Sequence, residues 1–286
     1  MKVGFFAMNT DFAIRPAVIA VELEQRGFSS MWVGEHSHIP ASRRSPYPGG
    51  GELPKGYWHL LDPFVSLAQA AAVTTELRLG TGVCLVLEHD VLALAKAVAT
   101  LDHLSDGRVD FGVGVGWNAE ELANHTVIPF PQRYRALREH VAALRTLWAD
   151  EEAAFDGTWV SFEPSWCEPK PAQRPGPPVH FGAAGPLGIA HTAEWADGWC
   201  PINTAWRDPG AALERFRGAV REAGRDADSV PITLFVMGRP ELDELRRYRD
   251  LGVAEVVLGT AGSIGMDLDR TLPHLDAWAA MALELA

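Results

Sequence analysis

The feature that most constrains this chain is a rhythm. Eight times a short apolar run, rich in β-branched or aromatic residues, gives way to a stretch of helical periodicity. The runs are KVGFFAM (2–8), SSMWVG (29–34), LRLGTGV (77–83), RVDFGVG (108–114), VHFGA (179–183), GWCPI (198–202), ITLFVM (232–237) and AEVVLG (254–259). Helical stretches follow at 15–27, 62–75, 90–104, 118–148 (interrupted near Pro129 and Pro131), 186–196, 209–224, 240–250 and 268–285. Strands that alternate with helices imply a parallel sheet. Eight such units over 286 residues, with no linker between halves, predict one (β/α)8 TIM barrel spanning 1–286, with an open doubly wound sheet as the alternative. Two segments interrupt the rhythm. The Pro- and Gly-rich stretch 35–61 is predicted to form a lid-like insertion after strand two, and FDGTWVSFEP (155–164) a surface hairpin after helix four, before the proline-rich connector 169–178.

Composition narrows the functional classes. A net charge of −12 argues against a nucleic-acid surface, which needs a clustered basic footprint. No apolar run approaches the length of a membrane span. The first residues carry an acid and a proline where a signal peptide keeps an apolar core, so a cytoplasmic protein is expected. The three cysteines, Cys84, Cys167 and Cys200, are odd in number and lack C-x-x-C spacing, which indicates neither a disulfide framework nor a zinc knuckle. Hydrophobic residues make up 47% of the chain, enough for a large core.

The stretch RVDFGVGVGWNAEE (108–121) poses a specific problem, because from Gly114 to Ala119 it reads G-x-G-x-x-A, the loose dinucleotide fingerprint. That fingerprint belongs on the first βα turn, with an acid about 20 residues on at the next strand end. Here it lies on the fourth unit and the region that follows is helical, so the context is wrong. In a barrel, ligand groups sit at the C-terminal strand ends, where these glycines fall. Other strand ends are also bare or polar: LGTGV (79–83), FGAAG (181–185) just before a helix start, and GEHSH (34–38). Together they predict a pocket for a large, flat, phosphorylated ligand, with the helix start after Gly185 suited to phosphate.

The segments DPFVSLAQAAAVTTELRLGTGV, LAKAVATLDHLSDGRVDFGVGVGWNAEE, RYRALREHVAALRTLW and HTAEWADGW together resemble the luciferase-like monooxygenase superfamily, in particular its actinobacterial oxidoreductases that use the deazaflavin coenzyme F420. The resemblance spans roughly residues 2–260. It implies a barrel that holds the ring at its C-terminal mouth and a non-prolyl cis peptide at the end of strand three, here Gly82–Val83, supporting the ring. It assigns His36 beside the ring as proton donor or substrate-orienting group, Glu121 (or Glu120) as the pocket acid, Trp117 as a pocket wall, and Gly82, Val83, Gly114 and Gly116 as cofactor contacts. Gly182, Ala183, Ala184 and Gly185 match the phosphate-side loop, although the lysine that some members carry there is missing.

The implied reaction is hydride transfer between F420 and a small organic substrate; FMN with monooxygenase chemistry is the alternative. Two further readings stand beside it: a metal-dependent hydrolase using the His36 and His38 pair, for which strand eight lacks a terminal aspartate, and a non-catalytic flavin-binding protein. No metal is expected. Tyr47, Tyr57 and Trp58 in the insertion suit an apolar or aromatic substrate, and a homodimer through barrel helices is the expected assembly.

Overall fold

The computed structural model describes residues 1–259 and 264–285. Its strands are β1 (Lys2–Ala7), β2 (Ser30–Val33), β3 (Arg78–Thr81), β4 (Val109–Val113), β5 (Ala153–Asp156), β6 (Ser161–Ser165), β7 (Val179–Phe181), β8 (Gly198–Trp199), β9 (Thr233–Met237) and β10 (Glu255–Gly259). Its α-helices are α1 (Pro16–Gln25), α2 (Pro63–Ala71), α3 (Val91–Leu104), α4 (Ala119–His125), α5 (Arg133–Ala149), α6 (Pro186–Trp195), α7 (Pro209–Glu222), α8 (Leu242–Asp250) and α9 (Leu268–Leu285). Eight strands form one parallel sheet in the order β8-β7-β4-β3-β2-β1-β10-β9, while β5 and β6 pair as the separate antiparallel hairpin. Backbone bonds from Trp199 N–H to Pro231 O (2.9 Å) and from Phe235 N–H to Pro201 O (2.8 Å) bring β8 and β9 together, so the barrel is nearly closed. The apolar run 198–202 yields only a two-residue strand because Pro201 has no N–H to give the ladder.

Period-two alternation divides every strand between two environments. Val3, Phe5, Met31, Val33, Leu79, Val109, Phe111, Val113, Val179 and Phe181 are buried in the main core with helix residues such as Leu67, Leu94 and Leu144. The inward set is different in kind. Its lower level is polar: the Arg78 guanidinium donates to both oxygens of Asp110 (2.6 and 2.7 Å), His180 Nε2 lies 3.4 Å from Asp110, and the Ser30 hydroxyl donates to Glu255 (2.7 Å). Above it, Trp32, Cys200, Phe235 and Val257 form an apolar cluster with Phe6, Val83 and Met237 packed against it.

Several helices begin where the strands deliver the chain to the barrel mouth, with an Asp or Asn cap. Asp62, Asp90, Asn118 and Asp208 accept from the backbone N–H of Val65, Ala93, Glu121 and Ala211 respectively. The expected break near Pro129 and Pro131 falls between α4 and α5, where a 3-10 turn covers Phe130–Gln132. In the insertion 35–61 the regular element is a 3-10 turn, Lys55–His59.

Candidate active site at the barrel mouth

The site begins with space. Two inward strand positions must be glycine so that Trp32 can fill the barrel centre: a Cβ at Gly80 would lie within its ring, and one at Gly112 would meet Cζ3 at 3.1 Å and the Thr81 carbonyl closer still. One level higher, Gly114 and Gly182 do the same for Val83, whose two methyl groups lie 2.5 Å from where their Cβ atoms would stand. The Gly82–Val83 peptide is cis, as the resemblance implied. Val83 is thus a wedge between β4 and β7, partly exposed at the mouth. The bare strand ends at 80, 112, 114 and 182 make room for the protein's own side chains; Gly116 and Gly185 differ. Gly116 has φ +70° and no neighbour closer than 3.8 Å to its would-be Cβ, and at Gly185 nothing lies within 4 Å.

Around this floor stand the polar groups. β2 is followed by Gly34, Glu35 and His36. Its Nδ1–H donates to Glu121, 2.8 Å from Oε2 and 3.0 Å from Oε1, and the side chains are 7% and 1% exposed. Asn118 caps α4, which fixes the phase of its first turn: Glu121 points in to His36, and Glu120 points out to accept from the backbone N–H of Arg44 and Ser45 in the insertion. The two acids left open by the sequence are thereby separated. Glu120 holds the insertion in place, and its bonds with Ser45 and Arg44 keep its carboxyl down at about 2. Trp117 stands edge-on to the His36 ring (5.7 Å between centroids), with Tyr57 on another side at 5.4 Å and Tyr47 bonded to Tyr57 through the hydroxyls (3.0 Å). The insertion therefore does cover the histidine.

Of the remaining groups, Glu35 and His38 sit in GEHSH (34–38), whereas Glu88, His89 and Asn124 have no motif that would find them in the sequence. Glu35 accepts from the Leu85 N–H (2.6 Å) and from His89 Nε2 (2.7 Å), beside the buried Cys84 thiol. Burial works to raise the Glu35 carboxyl, but the contacts with His89, the Leu85 N–H and the Cys84 thiol together outweigh it and the net shift is downward; His89 is correspondingly raised. With both Glu35 oxygens engaged, this trio is a closed hydrogen-bonded set rather than an open ligand cage. His36 and His38 likewise turn to separate partners, His38 accepting from Asn124 Nδ2 (2.8 Å), which removes the pairing a metal-hydrolase reading requires. Glu88, in the turn after β3, is 4% exposed and lies 3.6 Å from His125 Nε2.

The loop 182–185 leads into α6, where the Ala183 carbonyl accepts from Trp199 Nε1 (2.9 Å). Gly185 is the cap of α6, contributes no side-chain cap bond and precedes Pro186. The first-turn N–H groups are left to whatever approaches over the bare glycine. This loop and the wedge at Val83 fit a phosphorylated, flat group.

Known proteins resemble the chain over most of its length. Residues 1–255 match the family model described as luciferase-like monooxygenase. An uncharacterized protein of Mycobacterium tuberculosis is 44% identical over 265 residues, covering 91% of this chain and 92% of that protein. The F420-dependent hydroxymycolic acid dehydrogenase of the same organism is 28% identical over 268 residues, covering 85% of this chain and 70% of that protein. An F420-dependent secondary alcohol dehydrogenase, solved with an F420–acetone adduct, superposes with a TM-score of 0.78 at 17% identity, covering 100% of this chain and 99% of that one, and shares the fold.

Proposed function

The chain belongs to the luciferase-like monooxygenase family, and from that premise we propose that it is an oxidoreductase exchanging a hydride between coenzyme F420 and a small organic substrate. The observation that carries this reading is the buried His36–Glu121 pair standing beside a mouth floored by Val83 and bordered by the uncapped start of α6. The F420-dependent names of relatives support the cofactor.

In this proposal Val83, seated in the space that Gly114 leaves, borders the ring with Gly116 and Trp117, and Gly182, Ala183, Ala184 and Gly185 lead the chain to the phosphate end. A bound deazaflavin supplies a carbon that accepts or gives a hydride. The protein handles the proton. Because Glu121 accepts from Nδ1–H, the neutral His36 ring carries its lone pair on Nε2, which bonds to no group among the described residues and is free to take a proton from a substrate hydroxyl. Glu121 then stabilises the imidazolium. In the reverse direction the same nitrogen returns the proton to a carbonyl oxygen. Tyr47, Tyr57 and Trp117 line the approach with aromatic surface, which suits an apolar or aromatic alcohol or carbonyl compound. Among the described residues no helix is long and apolar enough to cross a membrane. We place the enzyme in the cytoplasm as a homodimer through its barrel helices. The experiment that tests the proposal is turnover of F420 with secondary alcohols and ketones, followed by deazaflavin absorbance; oxygen-dependent turnover with FMN instead would favour the monooxygenase reading.

A further inference from the structure

The two limbs of the insertion, 39–43 and 52–58, face each other across a cleft of about 480 Å³. It is lined by the apolar Ile39, Pro40, Leu53 and Trp58 and by the charged Arg43 and Glu52. Trp58 is 49% exposed, so a large apolar surface stands open to water there. The Arg43 N–H donates to Pro40 O (3.0 Å) and closes a turn that brings the Arg43 side chain to the cleft. Its guanidinium lies over the Trp117 ring, 5.5 Å from Cζ to the centroid, and donates to the Ser45 carbonyl. The neighbouring Arg44 pairs with Glu120 at 3.4 Å. Arg43 has no carboxylate partner among the described residues, in a chain of net charge −12.

Successive residues of α4 set this cation and the histidine of the mouth in one frame. Glu121 holds His36, while Glu120 accepts from the N–H groups of Arg44 and Ser45 (both 3.2 Å) and the Ala119 N–H donates to Ser45 Oγ (3.1 Å). Trp117, just before the α4 cap, touches both sides: it stands edge-on to His36 and carries the Arg43 guanidinium on its ring. A molecule at His36 Nε2 therefore meets, one indole ring away, a fixed cation beside apolar walls. Glu52 is exposed and its charge is screened by water, whereas Arg43 is partly desolvated on the indole, so the cleft favours an anion. A single guanidinium, with its planar fork of N–H donors, matches one carboxylate.

We propose that this cleft binds the carboxylate end of an amphiphilic organic acid, with Arg43 holding the carboxylate and Ile39, Leu53 and Trp58 covering the apolar chain, so that the substrate is a hydroxy or oxo acid whose other end reaches His36. Arg43 is then a specificity-determining residue. It grips the substrate away from the reacting carbon, equally before and during hydride transfer, and so acts on KM rather than kcat. No bond is made or broken in the cleft. That the bound acid is the substrate rests on His36 as the group that handles the substrate proton; that the cleft takes a carboxylate does not depend on the cofactor.

Calorimetric titration of octanoate into the cofactor-free protein tests this, with octanamide and octylamine as neutral and cationic comparators. Octanoate should bind about tenfold or more tightly than either, and Arg43→Gln should weaken it by about tenfold or more, the loss expected for a charge-assisted hydrogen bond. Arg43→Lys should restore part of the affinity, since an ammonium supplies the charge without the fork. In turnover with F420, a secondary alcohol carrying a terminal carboxylate should show a lower KM than the same alcohol without it, and Arg43→Gln should erase that difference. Octanoate binding no tighter than octanamide, or unchanged in Arg43→Gln, overturns the proposal; so does tighter binding of octylamine, which would give the cleft to Glu52. Should Arg43→Gln fail to fold, the half-exposed Trp58 decides: octanoate binding unchanged in Trp58→Ala overturns it. Octanoate binding that depends on Arg43, in a protein that turns over nothing with F420, upholds the cleft and counts against the cofactor reading alone.

Discussion

His36 Nδ1 lies 2.8 Å from Glu121 Oε2, joining the loop after β2 to the first turn of α4 although 85 residues separate the two. This contact fixes the tautomer of a histidine at the mouth of a parallel barrel and leaves its other nitrogen without a partner among the described residues, where the proposed function has it take the substrate proton. His36→Ala should therefore lower kcat by about 10²–10⁴-fold, the range of a general acid or base, with the Kd for cofactor little changed. His38→Ala should be milder. Equal losses at both positions, restored by zinc or manganese, would instead support a metal mechanism.

The glycines of the mouth divide by what their missing Cβ would meet. Gly114→Ala drives a methyl group into Val83 and should cost about 1–3 kcal/mol of stability by overpacking. Gly185→Ala meets nothing, at an ordinary negative φ, and should leave Tm within a degree or two while weakening cofactor binding where a phosphate approaches the α6 start. Melting curves and binding isotherms of the two variants check this; equal effects on both readouts would contradict it. Val83→Phe should likewise impair cofactor binding more than folding.

The architecture was legible because the signals agreed: strand runs alternated with helical periodicity, and the break in the pattern near Pro129 and Pro131 falls between α4 and α5. The resemblance pointed to His36, to Glu121 or Glu120, and to a cis bond at Gly82–Val83, which the structure shows. The roles of the glycines were not legible, since spacing does not say whether a bare position faces a ligand or, as at Gly80 and Gly112, the ring of Trp32. Which of Glu120 and Glu121 turns inward depended on the phase that Asn118 gives α4. Glu88 and His125 belong to no motif; only folding brings a turn after β3 against the end of α4.

Glu88 also makes a stability prediction with a definite sign. Burial, with the charges of Glu121 and Glu35 nearby, puts its folded pKa at about 9, above its unfolded value near 4.5, so the native state binds the extra proton and stability falls as pH rises between these values. Glu88→Gln removes that slope. Tm measured from pH 5 to 9 should decline more steeply for wild type than for the variant, and parallel curves would contradict it.

At the opposite end of the barrel, burial alone would raise Asp110, but His180 and Arg78 outweigh it and hold the carboxyl down at about 2. Its contribution to stability is present above the unfolded value near 3.8 and is lost as pH falls toward 2. Asp110→Ala leaves Arg78 and His180 without their buried counter-charge and should cost about 3–5 kcal/mol, read by chemical denaturation at pH 7.

The central claim is the cofactor, and binding of F420 and FMN to the purified protein, compared by fluorescence quenching at equal ionic strength, tests it most directly. The site, with a Val83 wedge at its floor and a bare helix start at Gly185, should bind F420 with a Kd in the micromolar range or tighter and FMN more weakly. A clear preference for FMN, or binding of neither, would contradict it.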